Sequence, residues 1–137
     1  MKKNLARQLD ELGGIVEFTQ SFFDEAGIDP SLRYAVDLCV EELFVNMVRY
    51  NRETQRDIQL ELAPAGNGVR VTLTDFDVER FDPRSGPAVD VEAPLESREP
   101  GGLGLYLVMK MVNSIHYEYA DRTSRISFVI DGTTHDV

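Results

Sequence analysis

A chain of 137 residues suits one domain built on a single core rather than two. It is 42% hydrophobic and 28% charged, with no apolar run near the roughly 18 to 20 residues that cross a bilayer, which excludes a membrane-spanning helix and predicts a soluble globular protein. A formal net charge of −10 and a pI near 4.6 exclude generic binding to nucleic acid or to an anionic membrane, both of which need cationic surface, so any phosphate ligand has to be held by local devices.

Met1-Lys2-Lys3 carries positive charge, but Asn4, Leu5, Ala6, Arg7 and Gln8 after it cannot form the apolar stretch of a secretion signal, and a cytoplasmic location is expected. Leu5, Leu9, Leu12, Val16, Thr19 and Phe23 recur at steps of three or four and predict a first helix with its apolar face widened by Ile15, Phe22 and Ala26, ending at Gly27. Gly27 to Ser31 is a short break in which Pro30 suits the first turn of a helix and Asp29 its N-cap. The second helix carries Leu32, Ala35, Val36, Cys39, Val40, Leu43, Phe44, Met47 and Val48, an arc broad enough for burial on much of its circumference, and ends near Asn51. Cys39 lies inside that apolar pattern and, as the lone cysteine, reads as a small core residue.

Residues 57–63 and 69–75 alternate in polarity and predict two half-buried strands. Pro64-Ala65-Gly66-Asn67-Gly68 between them supplies hairpin chemistry, so the two should pair antiparallel. Periodicity is then lost from Phe76 to Pro100, an irregular stretch of the length usually reserved for functional loops. Leu103, Tyr106, Leu107, Met111 and Val112 mark a third helix, and residues 114–120 and 125–130 form a last strand pair turning at Asp121-Arg122-Thr123. The order helix, helix, strand, strand, loop, helix, strand, strand places the helices on one face of a mainly antiparallel sheet, an α+β two-layer sandwich over residues 1–137.

Three separated pieces suggest a nucleotide pocket. Glu42 and Asn46 lie four positions apart, so on a helix both side chains leave one face a turn apart. A carboxylate there can accept a proton from a hydroxyl or water, and a neutral amide oxygen can bind a hard cation such as Mg²⁺. Glu41, turned by about 100°, is expected to face solvent, and Arg49 suits either a phosphate or plain surface charge. Asp75 closes an alternating strand, where a carboxylate can accept a hydrogen bond from the exocyclic amine of adenine. Gly101-Gly102-Leu103-Gly104 opens the third helix, whose first N–H groups and dipole favour phosphate, with Arg98 from the irregular stretch as an added cation. Each piece also has a plain structural reading: a solvated helix stripe, a strand-terminal turn, a glycine-rich connector. The glycines do not end in the Gly-Lys-Ser/Thr of a Walker loop, and His116 and His135 lack metal-ligand spacing.

These residues resemble the anti-sigma-factor serine kinases of bacterial partner-switching systems, within the superfamily of gyrase-type and histidine-kinase-like ATPases. The likeness spans roughly Leu9 to Ile130. It rests on Glu42-x-x-x-Asn46, on Asp75 followed by Phe81-Asp82-Pro83, and on Pro94-Leu95-Glu96-Ser97-Arg98 leading into Gly101-Gly102-Leu103-Gly104. The resemblance implies a Bergerat-type ATP fold with a long lid, ATP and Mg²⁺ as cofactors, and Glu42 as catalytic base. Asn46 would hold the metal, with Arg49, Asp75, Arg98, Gly101, Gly102, Leu103 and Gly104 around the nucleotide. It further implies a serine/threonine protein kinase that acts as an anti-sigma factor, phosphorylates a small antagonist protein, binds a sigma factor and forms a homodimer. The sequence departs from the family at Asp77, where glycine is usual, and at Tyr50 and Asn113, where histidine and aspartate are common. These departures keep a second reading open, a partner-binding module of the same fold without phosphotransfer or ATP binding. An ATP hydrolase with no protein acceptor is a third, and it lacks a transducing domain to use the energy.

Overall fold

Two helices pack on one face of a five-stranded sheet in the computed structural model, which describes residues 1–50, 54–80, 110 and 112–132. The elements are β1 (Lys2–Leu5), α1 (Leu12–Ala26), α2 (Arg33–Tyr50), β2 (Ile58–Ala65), β3 (Gly68–Phe76), β4 (Asn113–Ala120) and β5 (Thr123–Ile130), with short 3-10 turns at Leu9–Glu11 and Pro30–Leu32. The strand order is β1-β2-β3-β5-β4 with every neighbour antiparallel, so β3 is the central strand. This is the α+β architecture that the alternating and helical periods predict.

The core follows from those two periods. Ile58, Leu60 and Leu62 on β2, Val69, Val71 and Leu73 on β3, and Ile126, Phe128 and Ile130 on β5 are buried on one face. They join Ile15, Phe22 and Phe23 of α1 and Val36, Cys39, Val40, Leu43, Phe44 and Met47 of α2 in one cluster. The helix α1 stops where Gly27 takes a left-handed φ of 66° and its N–H bonds the Phe23 carbonyl at 3.0 Å, a C-terminal cap that glycine adopts without steric cost. Asp29 caps the next turn as expected, its carboxylate accepting from the Ser31 N–H at 2.9 Å, and α2 proper begins after that turn, at Arg33.

The first helix begins later than the Leu5, Leu9, Leu12 spacing predicts. Lys2 to Leu5 form an edge strand instead, with Lys2 opposite Glu61 and Leu5 opposite Ile58, while Leu9 is 45% exposed in a 3-10 turn. Leu5 gains full burial in the core, and the segment pairs the free edge of β2. Tertiary pairing thus outweighs a helical spacing too short to nucleate by itself.

The two hairpins use their turn residues differently. Asp121 and Arg122 both take positive φ, 52° and 58°, as a two-residue turn between twisted strands requires. In the β2–β3 hairpin Gly66 takes a φ of 58°, but Gly68 is a strand residue. A Cβ at Gly68 would lie 2.2 Å from the Ile130 carbonyl oxygen, so glycine is needed there for close backbone approach rather than for turn geometry.

Candidate functional site

The helix α2 carries the first part of the site because its buried arc is wide. Asn46 is only 3% exposed although polar, and Glu42, one turn before it, is half-buried. Burial pushes the Glu42 carboxyl above the ordinary carboxylate value, and the positive charge of Arg49, two turns on, partly opposes this. Glu41 is half-buried as well, contrary to the expectation that it faces solvent, because α2 packs against both α1 and the sheet. Its carboxyl is raised by burial first and by the charges of Asp37 and Glu42 after that. Asp37 is raised by burial too, despite the nearby Thr19 hydroxyl and the Arg33 guanidinium 3.5 Å away. The neighbouring Cys39 thiol is pushed up to about 12, chiefly by burial and then by Glu42, so it stays protonated and unreactive.

Asp75 forms the second part. The inward positions Val69, Val71 and Leu73 of β3 continue to Asp75, whose side chain therefore points towards the helices and is 0% exposed. It is closed onto Arg7, which pairs with its Oδ1. The Arg7 side chain is 10% exposed and divides its guanidinium among three elements. Nε donates to the Arg56 carbonyl at 2.9 Å ahead of β2, and one terminal nitrogen approaches the Met47 carbonyl at 3.4 Å. The other terminal nitrogen reaches Asp75. Met47 lies in the last described turn of α2, towards the negative end of the helix dipole, so a cation suits that place. One guanidinium thus contacts both Asp75 and the carbonyl of Met47, the residue after Asn46.

Arg7 was not singled out by the sequence reading, in which it belongs to the charged N-terminal segment. The only available signal is indirect: a carboxylate at an inward strand position needs a cation or several donors, and Arg7 is separated from Asp75 by 67 intervening residues.

Asp77 behaves differently from the neighbouring carboxylate. Its φ is 57°, in the left-handed region that glycine enters without strain and aspartate tolerates better than most residues. Backbone conformation is therefore sufficient reason for a glycine at this point of the fold. The Asp77 side chain is 55% exposed and accepts from Arg122 Nε at 2.9 Å, which turns its charge towards the β4–β5 hairpin. The same hairpin holds the next residues, since the Val78 N–H donates to the Arg122 carbonyl at 2.9 Å and the Tyr119 hydroxyl donates to the Val78 carbonyl at 2.8 Å. Arg80 lies over the Tyr119 ring, 5.4 Å from its centroid.

Arg98, Gly101, Gly102, Leu103 and Gly104 lie outside the described residues, as do Phe81-Asp82-Pro83 and most of the predicted third helix. At the α2 end a buried neutral amide stands one turn from a half-buried carboxylate, oxygen groups of the kind a hard cation takes. At the Asp75 end a carboxylate able to accept a hydrogen bond from an amine is buried and paired with Arg7.

None of the curated proteins searched matches this sequence. Among solved structures, the chain that holds the RsbU and RsbW domains of Rv1364c from Mycobacterium tuberculosis contains this fold, with a TM-score of 0.65 at 14% identity. The match covers 100% of this chain and 34% of that one, so this chain spans about a third of the length of its structural neighbour. The profile of the histidine kinase-like ATPase domain matches residues 5–130, from the last residue of β1 to the last residue of β5. By that match over nearly its whole length, the chain belongs to the histidine kinase-like ATPase domain family.

Proposed function

We propose that this protein is an ATP-dependent serine/threonine kinase acting as an anti-sigma factor, with a small antagonist protein as its substrate. The observation that carries the reading is the pairing of Glu42, half-buried and raised in pKa, with the buried amide of Asn46 one helical turn away. A raised carboxylate is a stronger base than a solvated one, and it stands on a helix that orients it rigidly. Glu42 would take the proton of the acceptor hydroxyl, and the Asn46 side-chain oxygen would hold Mg²⁺ without adding charge. Asp75 would accept from the adenine amine, while Arg49, Arg98, Gly101, Gly102, Leu103 and Gly104 would surround the phosphates. ATP with Mg²⁺ supplies the phosphoryl group for this chemistry. Among the described residues no group of three or more His, Cys, Asp and Glu side chains is gathered to hold a metal, so Asn46 would share the cation with the ligand's own phosphate oxygens. A sigma factor and its antagonist would be the partners and a homodimer the working form, as the sequence resemblance to the anti-sigma-factor kinases implies.

A labelled-phosphate assay with a purified antagonist protein tests the assignment. Glu42→Gln should abolish phosphotransfer while leaving Mg²⁺·ATP binding in place, and equal transfer by this variant would remove Glu42 from the role of base. A second reading, a partner-binding module without phosphotransfer, is favoured by the closure of Asp75 onto Arg7. Absence of Mg²⁺·ATP binding at millimolar concentration would select it.

A further inference from the structure

We infer that Arg7 is an intramolecular competitor of the nucleotide base: the N-terminal segment latches Asp75, and base binding requires Arg7 to leave it. This rests on the assignment of Asp75 as the base-reading carboxylate. Asp75 has no exposed surface, so a ligand cannot approach its carboxylate while the guanidinium is seated. Arg7 contacts it from the N-terminal segment. It sits in the short connection between β1 and the 3-10 turn at Leu9–Glu11, where the Gln8 N–H bonds back to the Ala6 carbonyl at 2.8 Å.

The latch is held by a light element. The strand β1 has four residues, pairs with β2 alone and lies at the edge of the sheet. Among the described residues its one charge pair, Lys2 with Glu61 at 3.9 Å, is largely exposed and adds little. The contacts of Arg7 with the Arg56 and Met47 carbonyls hold it to the lead into β2 and to the end of α2, so withdrawal would loosen both places together. A charge-assisted Arg–carboxylate bond is about twice as strong as the neutral amine bond that a base offers in exchange. The closed form is therefore the resting state, and the apparent affinity for nucleotide falls by the fraction of molecules that are open. Occupancy of the base site is thereby reported at the sheet edge.

Amide hydrogen exchange on the wild-type chain, with and without saturating Mg²⁺·ADP, tests this without any substitution. The latch predicts faster exchange at residues 2–8 in the bound form, whereas unchanged or slower exchange there with bound ADP overturns it. Calorimetric titration of Arg7→Lys and Arg7→Gln gives the second readout. Lysine keeps one charge but cannot span three partners, so both variants should bind Mg²⁺·ADP at least ~10-fold more tightly than wild type. Equal or weaker binding by both variants overturns the latch while the kinase assignment stands. Binding by the variants but not by wild type supports a latch that is fully closed at rest. Failure of all three proteins to bind at millimolar ADP removes Asp75 as a base reader, and the kinase reading and the latch fall together.

Discussion

Three carboxylates near the candidate site, Glu42, Asp75 and Asp77, show how placement on the fold decides what an acid does. Asp75 points into the interior from the central strand, loses all contact with water and is compensated by a cation from a distant segment. Glu42 stands on a helix face that is half open, and burial raises its pKa with only partial relief from Arg49. Asp77, two residues beyond Asp75, has turned outwards on a left-handed backbone and holds a surface arginine. Full burial with a partner makes an anchor, partial burial leaves a carboxyl with a raised pKa, and exposure leaves a hairpin clip.

The largest effect separating these roles should come from Asp75→Ala, which leaves the nearly buried Arg7 guanidinium without its counter-charge. Loss of one partner of a buried pair typically costs about 3–5 kcal/mol, and urea unfolding should show it. Replacing both members, as Arg7→Met with Asp75→Leu, should recover most of that loss. If the double variant is as unstable as Asp75→Ala, the pair is not what binds the N-terminal segment to β3.

A smaller effect distinguishes backbone from charge at Asp77. Asp77→Val forces a β-branched residue into the left-handed region and should lose about 1–3 kcal/mol in thermal unfolding, whereas Asp77→Gly should melt close to wild type. Similar losses in both variants would assign the role to the Arg122 ion pair and not to φ.

Glu42→Gln should give the smallest change in stability, and it carries a pH signature. Burial raises the folded-state value above the unfolded one, so the protonated form is favoured by folding. That contribution is complete below the unfolded value, near 4.5, and is lost as pH rises through the folded value. At pH 7 the ionised side chain is therefore a mild burden, and the amide should raise stability by under about 1 kcal/mol, discounted for its partial exposure. The gain should vanish below the unfolded value, and a gain that persists there would show that packing is responsible. Lost phosphotransfer alongside raised stability would mark Glu42 as held for function at the expense of the fold.

The sandwich was legible because period-two and period-3.6 apolar patterns report which face of each element is buried, and this holds from Ile58 to Leu73 and from Val36 to Met47. The position of Glu42 and Asn46 on one face was legible for the same reason, since four residues make about one helical turn. The β1 strand was not, because Leu5, Leu9 and Leu12 share a helical spacing while the benefit of edge pairing depends on β2, more than fifty residues away. Gly68 looked like a turn residue because nothing local announces the Ile130 carbonyl against it.

Local pattern by itself thus determined the element types, the two-layer core and the residues able to do chemistry, because all of these follow from side-chain character and short-range geometry. Only the tertiary structure decided which charges meet. The partner of Asp75 comes from the far N-terminal segment and that of Asp77 from a turn between two other strands, since a buried or clipped carboxylate is neutralised by whatever cation the folded chain brings within reach, and sequence distance carries no information about that.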